Sequence, residues 1–466
     1  MSAAPRRGDR RTVVRVQPAR QVAFAVLRAV SSSDAYANLL LPREIERAGL
    51  TGPDAGLATE LAYGTLRRLG TYDAIIRLAA DREPDAIDAP VLDALRLGAH
   101  QLLATRVAPH AAVNESVQLV RDEAGPRAAG FANAVLRRVG QDDLATWTDR
   151  AAASARSDDE RLAIASAHPV WVIRALRRAL AAEGRESELD ALLAADNASP
   201  SVTMAALPGL AEAQGEPTPH SPVGFRLGGG DPEPLVRASG GALRVQDEGS
   251  QLVALALSRL APVAPGERWL DLCAGPGGKT ALLAAEALAG GARLEANEVV
   301  PARAGLVRRA LAPVPLEVVV HERDGRELAA AQPGSFDRIL VDAPCTGLGA
   351  LRRRPEARWR KQPSDVAELA VIQAQLLDAA VTALAPGGTV AYVTCSPHLA
   401  ETSAIVREIV ERRGSDVEEL DARAALQAVA PPPPALPAPA DGSGHAQLWP
   451  HRHGTDAMFL ALLRRR

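Results

Sequence analysis

The sequence predicts a two-part fold: an all-α helical bundle followed by an α/β domain built on a doubly wound parallel sheet. Three observations carry this. Apolar residues recur at three-and-four spacing through the first third of the chain. After Val245, short apolar runs alternate with helix-patterned segments. One of those runs ends in the glycine cluster CAGPGGK (273–279), which opens a helix-like stretch. A chain of 466 residues has room for two or three such domains.

Residues 1–20, MSAAPRRGDRRTVVRVQPAR, hold six arginines and one acid and read as a mobile basic tail. They lack the apolar core of a secretory signal. Residues 21–150 carry the helical pattern in QVAFAVLRAV, AYANLLLPREIERAGL, GLATELAYGTLRRLGTYDAIIRLAA, APVLDALRLGAHQLLAT, AAVNESVQLVRDE and RAAGFANAVLRRV, which predicts six or seven helices. Residues 151–245 read as connecting helices and a small irregular module rich in Gly and Pro. Residues 246–466 form the α/β domain, with strands RWLDLC, ARLEANE, LEVVVHERD, FDRILVDAP and GTVAYVTCS. PPPPALPAPA (431–440) reads as a stiff spacer, and AMFLALLRRR as a closing strand.

Composition narrows the class. The net charge of −3 gives no bulk electrostatic argument for or against nucleic acid. Of 53 basic residues only Lys279 and Lys361 are lysines, so a retained ammonium is worth following. Three cysteines without a CxxC pair make neither a disulfide framework nor a zinc ribbon, and fit a reducing cytoplasm. No apolar run approaches 18 residues, so no membrane span is expected. His451 and His453 stand without a cysteine or acid cluster at ligand spacing and read as a polar loop rather than a metal site.

In DLCAGPGGKT (271–280) glycines allow close backbone approach to a ligand, and the following helix start offers free N–H groups. A triphosphate loop would need glycine six residues before Lys279, where Cys273 stands instead. Glu298, at the end of the second strand, suits ribose hydroxyls. Asp324, ending the third, suits an adenine edge. Any one of these acids could instead cap the helix that follows it.

Cys345, in VDAPCTGLG, and Cys395, in VAYVTCSPH, both follow strand-like runs, so both should reach the ligand crevice although fifty residues separate them. A buried structural cysteine is the usual alternative, and it suits Cys273 best. Carbon 5 of cytosine is a poor nucleophile, but a thiolate adding to carbon 6 turns the ring into an enamine that can attack an activated methyl group. A base must later remove the carbon-5 proton so that the thiol can leave. The base must also be single-stranded or flipped out of a duplex. RRRPEARWRK (352–361) offers phosphate contacts and one aromatic for stacking.

DLCAGPGGKT, ILVDAPCTGLG, RRRPEARW, VAYVTCSPHLAE and PHRHGTDAMF, in this order, resemble the RNA cytosine-C5 methyltransferases of the NOL1/NOP2/Sun family. AYANLLLP, ELAYGTLRR, LRLGAHQLL and GFANAVLRRV resemble the NusB-like RNA-binding domain that marks its bacterial branch acting on small-subunit ribosomal RNA. The resemblance implies a Rossmann-like methyltransferase domain with S-adenosylmethionine held by Cys273, Ala274, Gly275, Pro276, Gly277, Gly278 and Lys279. It implies Glu298 on the ribose, Asp324 near the adenine, and Asp342 near cofactor and target base. Cys395 matches the family's nucleophile and Cys345 the second thiol, which assists product release; Lys279 and Asp342 would contact the cytosine or handle its proton. Gly275 and Thr346 stand where alanine and serine are frequent, Ala457 replaces a usual glycine, and SVTMAALPGL (201–210) lacks the usual arginine. The implied protein is a cytoplasmic monomer acting on 16S ribosomal RNA. A transfer-RNA substrate, or a non-catalytic RNA-binding or assembly factor, are the alternatives.

Overall fold

The computed structural model describes residues 16–33, 35–430, 432, 434–439 and 441–466. Most of the expected basic tail lies outside them. Its described end is not a tail: Pro18–Arg20 begin the first helix, and Arg20 is buried. The chain divides into two compact units, one ending at Val170 and one spanning Trp171–Arg466.

The first unit is the helical bundle. It comprises α1 (Pro18–Ser32), α2 (Ala37–Arg47), α3 (Gly52–Arg67), α4 (Leu69–Ala80), α5 (Ala89–Ala104), α6 (Pro109–Val139), α7 (Leu144–Ala152) and α8 (Asp158–Ser166). Proline stands in the first turn of α1, α3, α5 and α6, where its missing N–H would have had no helical partner. Gly125 (φ 83°) and Pro126 break α6 into two arms, matching the two helical segments read there. Leu61, Ile75, Leu95, Val120 and Leu136 fill the core. Arg20 reaches Gln101 Oε1 (2.6 Å) and Glu115 (3.1 Å), so its charge is spent inside the bundle. The unit runs past the expected boundary at residue 150 because α7 and α8 pack on α4, and Thr71 Oγ1 donates to the Ile164 carbonyl (2.6 Å).

In the second unit, α9 (Val170–Ala182) and α10 (Leu189–Asp196) precede β1 (Thr203–Ala206), β2 (Glu216–Pro217), β3 (Gly224–Arg226), α11 (Glu233–Ala238) and β4 (Leu243–Val245). The module expected to be irregular is therefore a small antiparallel sheet, ordered β2-β3-β1-β4. Its strands are too short for a period-2 signal to emerge among the glycines and prolines. Met204, Phe225 and Leu243 give it a core of its own.

The larger sheet follows. Its elements are α12 (Glu248–Ser258), β5 (Arg268–Asp271), α13 (Gly278–Gly290), β6 (Arg293–Asn297), α14 (Pro301–Leu311), β7 (Val319–His321), α15 (Gly325–Ala330) and β8 (Phe336–Asp342). Then come α16 (Ala357–Arg360), α17 (Pro363–Ala383), β9 (Leu384–Thr394), α18 (Ser403–Arg413), β10 (Val417–Leu420), α19 (Ala422–Val429), β11 (Ala446–Gln447), α20 (Pro450–His453) and β12 (Phe459–Arg465). The order is β10-β12-β9-β8-β5-β6-β7. The five strands β7, β6, β5, β8 and β9 are parallel, as expected, whereas β12 lies antiparallel between β9 and β10, so the sheet is mixed.

Strand alternation fills both faces. Leu340, Ala391 and Val393 face α12, α13 and α19, while Ile339, Val341, Val390 and Tyr392 face α15, α17 and α18. Contrary to the expectation from apolar runs, the 21-residue α17 is long and apolar enough to cross a membrane by length and composition. It carries Asp365, Glu368 and Asp378, and Leu376, Leu377, Ala380 and Val381 pack into the sheet's core.

Arg338 in mid-β8 is buried beside Trp269 of β5, its guanidinium 5.0 Å from the indole ring. It donates to the carbonyls of Leu257 (3.1 Å) and Ala261 (3.0 Å) and pairs with Glu267 (2.8 Å). One arginine thus gathers carbonyls from the end of α12 and from the loop that follows it. Arg338→Met is expected to destabilise this unit by about 1–3 kcal/mol, because buried carbonyls lose their donor; urea unfolding measures it.

Candidate active site

The strand order reverses between β5 and β8, and such a switch point opens a crevice at the strands' carboxyl ends. β5 ends at Asp271, and the glycine turn follows. Ala274 N–H donates to the Asn297 carbonyl (2.8 Å) and Gly277 N–H to the Ala274 carbonyl (2.7 Å), which fixes the turn before α13 starts. Gly277 has φ 98°, and a Cβ there would lie 2.7 Å from Ala310 Cβ. Only glycine meets both demands.

Glu298, at the end of β6, is 4% exposed. Its carboxylate accepts from Gly275 N–H (3.0 Å) and Val300 N–H (3.0 Å) and pairs with Arg303 (3.3 Å). A Cβ on residue 275 would lie 2.1 Å from that carboxylate, so a larger residue there would need the Glu298 and Arg303 side chains to shift. Asp271, absent from the residues singled out in the sequence, is fully buried; burial pushes its carboxyl up to about 7, and Thr280 Oγ1 donates to it (2.7 Å). Cys273 lies in the turn, its thiol pushed well above the ordinary range by burial and then by Asp271, Asp342 and Glu298. Asp324 is the N-cap of α15: it accepts from Arg326 N–H (2.9 Å) and pairs with that residue's guanidinium. Capping, the alternative reading of such an acid, is the contact Asp324 makes here.

The two thiols meet because of strand register. β8 and β9 pair in parallel with Asp342 opposite Val393. Cys345 and Cys395 therefore leave the sheet three and two residues beyond matched positions. Ala343 N–H donates to the Val393 carbonyl (2.9 Å) and Gly349 N–H to the Cys395 carbonyl (2.8 Å), joining the two loops. The sulfurs lie 3.5 Å apart, within hydrogen-bond reach, and both are partly exposed. Across them, Lys279 Nζ from α13 meets Asp342 Oδ2 at 2.8 Å. Burial alone would depress the ammonium, but Asp342's charge and hydrogen bond outweigh it and hold Lys279 above its ordinary value.

The pair is electrostatically unequal. A hydrogen bond from Cys345 lowers the Cys395 thiol, against burial and Asp342, with Arg354 and Lys279 assisting. The bond to Cys395, then burial, then the charges of Cys395, Glu401 and Asp342 push Cys345 well up. The surroundings thus favour negative charge on Cys395 over Cys345.

Glu401, within the VAYVTCSPHLAE stretch but given no role from sequence, is fully buried and bonded to residues beside both cysteines. Its signal was only an acid six residues past Cys395. RRRPEARWRK, expected to face phosphate, is largely committed within the unit. Arg352 donates to the Gly454 carbonyl (3.0 Å), Arg353 pairs with Asp456 (2.9 Å), and Arg358 is fully buried on Asn197 (2.7 Å). The acids that claim Arg352 and Arg353 lie about a hundred residues away in sequence. His451 and His453, expected in a loop, lie in α20; His451 pairs with Glu188 (2.8 Å), and His453 Nδ1 accepts from Trp449 N–H (2.8 Å).

The family description "16S rRNA methyltransferase RsmB/F" matches residues 258–464, and that of the NusB family matches residues 17–141. Ribosomal RNA small subunit methyltransferase B of Pseudomonas putida is 34% identical over 414 residues, covering 84% of this chain and 89% of that protein. The chain belongs to the RsmB/F family of 16S rRNA methyltransferases. Rv1407 of Mycobacterium tuberculosis is 50% identical over 469 residues, 98% of each chain. The crystal structure of PH0851 shares the fold, with a TM-score of 0.80 and 20% identity over 97% of this chain and 100% of that one.

As an RsmB/F member the chain is an S-adenosylmethionine-dependent methyltransferase. The cradle fits that cofactor: residue 277 admits no Cβ, and a buried carboxylate stands at the end of the second strand. Iodoacetamide titration of the free protein, read by mass spectrometry, is expected to label Cys395 at lower pH than Cys345. Labelling of Cys345 should rise only at higher pH, since the thiolate fraction grows as pH climbs through each pKa.

Proposed function

We propose that this protein methylates carbon 5 of a cytosine in small-subunit ribosomal RNA through a covalent adduct between Cys395 and carbon 6. The unequal thiol pair, 3.5 Å apart beside the Lys279–Asp342 bridge, is the observation that carries this reading. Cys273–Lys279 and Glu298 would hold S-adenosylmethionine, with Asp324 toward the adenine. When bound, that cofactor supplies the activated methyl group that carbon 5 takes up.

The chain's own residues do the rest. Cys395 Sγ adds to carbon 6, and the ring's electron pair moves to carbon 5. Lys279 and Asp342 hold the pyrimidine's polar edge. After methylation carbon 5 still carries its proton; a base removes it, the carbon 5–carbon 6 double bond reforms, and Cys395 leaves as thiolate. Cys345 supports this departure through its hydrogen bond to the leaving sulfur. A purely RNA-binding factor would have no use for such a pair.

The cytoplasm, whose thiols stay reduced, suits it. The helical unit grips RNA in this reading. Arg354 joins it: no carboxylate pairs with it among the described residues, and its Nε is buried without a hydrogen-bond partner. It lies close enough to Cys395 to lower that thiol. Arg354→Ala is expected to weaken RNA binding and to reduce the slope of log K against log[salt] by about 1, as fluorescence anisotropy across a salt series would read.

Bisulfite sequencing of ribosomal and transfer RNA from a deletion strain and its parent tests the substrate. Loss of one small-subunit cytosine mark is expected; loss of a transfer-RNA mark would replace the substrate. Cys345→Ala should trap protein–RNA adducts resistant to denaturant, and Cys395→Ala should form none. The opposite pattern would exchange the two thiol roles.

A further inference from the structure

We propose that Glu401 is a positioning residue that sets the geometry and the division of labour of the two thiols by binding both of their loops at once. The inference deepens the covalent reading above and rests on it.

Glu401 is fully buried. Its Oε1 accepts from Thr346 N–H (2.8 Å), and its Oε2 from Thr346 Oγ1 (2.5 Å) and Ser396 Oγ (2.6 Å). Thr346 follows Cys345 and Ser396 follows Cys395, so one carboxylate ties together the residues next to both sulfurs. Gln373 of α17 donates to Oε1 (3.3 Å) and also to the Pro344 carbonyl (2.8 Å), bracing the first loop from behind. Tyr392 OH holds the Glu401 carbonyl (2.8 Å). Four donor groups converge on two oxygens, the pattern that a carboxylate anion, an acceptor only, accommodates.

Position becomes chemistry through charge. The other charged groups acting on the thiols are Asp342 at the end of β8, Lys279 from α13, and Arg353 and Arg354 from the loop after Cys345. None of them bridges Thr346 to Ser396. Glu401 adds its negative charge chiefly on the Cys345 side, where it helps keep that sulfur protonated and donating.

Glu401→Gln keeps the shape but removes the charge and turns one acceptor oxygen into a donor, while Thr346→Val keeps the charge and removes only Oγ1, with its bonds to Glu401 and Ser396. Iodoacetamide labelling of the free full-length protein across pH, with methylation kinetics, separates the two effects. For Glu401→Gln the Cys395:Cys345 labelling ratio at neutral pH should fall at least tenfold. Its kcat should fall tenfold or more with KM for S-adenosylmethionine within twofold. Thr346→Val should keep the labelling ratio and lose several-fold in kcat. Labelling and kcat within twofold of wild type in both variants would overturn the proposal, as would a Thr346→Val protein of full activity if Glu401→Gln does not fold. Labelling needs no RNA: absence of a trapped adduct with Cys345→Ala would sink the covalent reading while leaving the labelling asymmetry to be judged alone.

Discussion

Everything at the site depends on the parallel pairing of β8 with β9 in one register. Asp342 lies opposite Val393, and the sulfurs of Cys345 and Cys395 meet because their loops leave the sheet nearly level. A slip of one residue would turn every side chain on β9 to the other face. That slip is forbidden from both sides: Tyr392 belongs to the core beneath α17 and α18, while Ala391 and Val393 belong to the core beneath α12 and α13. Ordinary packing of aliphatic side chains is therefore what aims the chemistry.

Buried charge serves the same end. Arg352 and Arg353 turn inward to Asp247 and Asp456, and Arg338 gathers the carbonyls at the end of α12. Such networks cost desolvation and add little net stability, yet breaking one partner is expensive. Their value is positional. The Arg353–Asp456 pair fastens the loop after Cys345 to the approach of β12, and a neighbouring backbone bond from Ala457 to Gly349 (2.8 Å) closes the same seam.

Much of this was legible in the sequence because it rests on local signals. Helical periodicity marked α1–α6 and even the break at Gly125, and the glycine turn announced the start of α13. Strand ends placed Glu298, Asp342, Cys345 and Cys395. What escaped was decided by distant partners. Nothing near Arg352 or Arg358 says that Asp247 or Asn197 will claim it, and nothing near Glu401 says that Thr346 will fold back onto it. The short strands β1–β4 were missed for another reason: strands of two to four residues between glycines and prolines carry no readable alternation. In Asp324 the capping contact is the one the structure shows.

The antiparallel strand β12, seated between β9 and β10, has a kinetic corollary. β9 cannot complete its hydrogen bonding on that side until residues 459–465 arrive, some sixty-five positions later along the chain. Closing so long a loop is a late and slow event compared with forming local helices. The strand that leads to Cys395 thus stays an edge until then, and the helical unit can mature while the second unit is still unfinished. Assembly of the enzyme ends where its reaction begins.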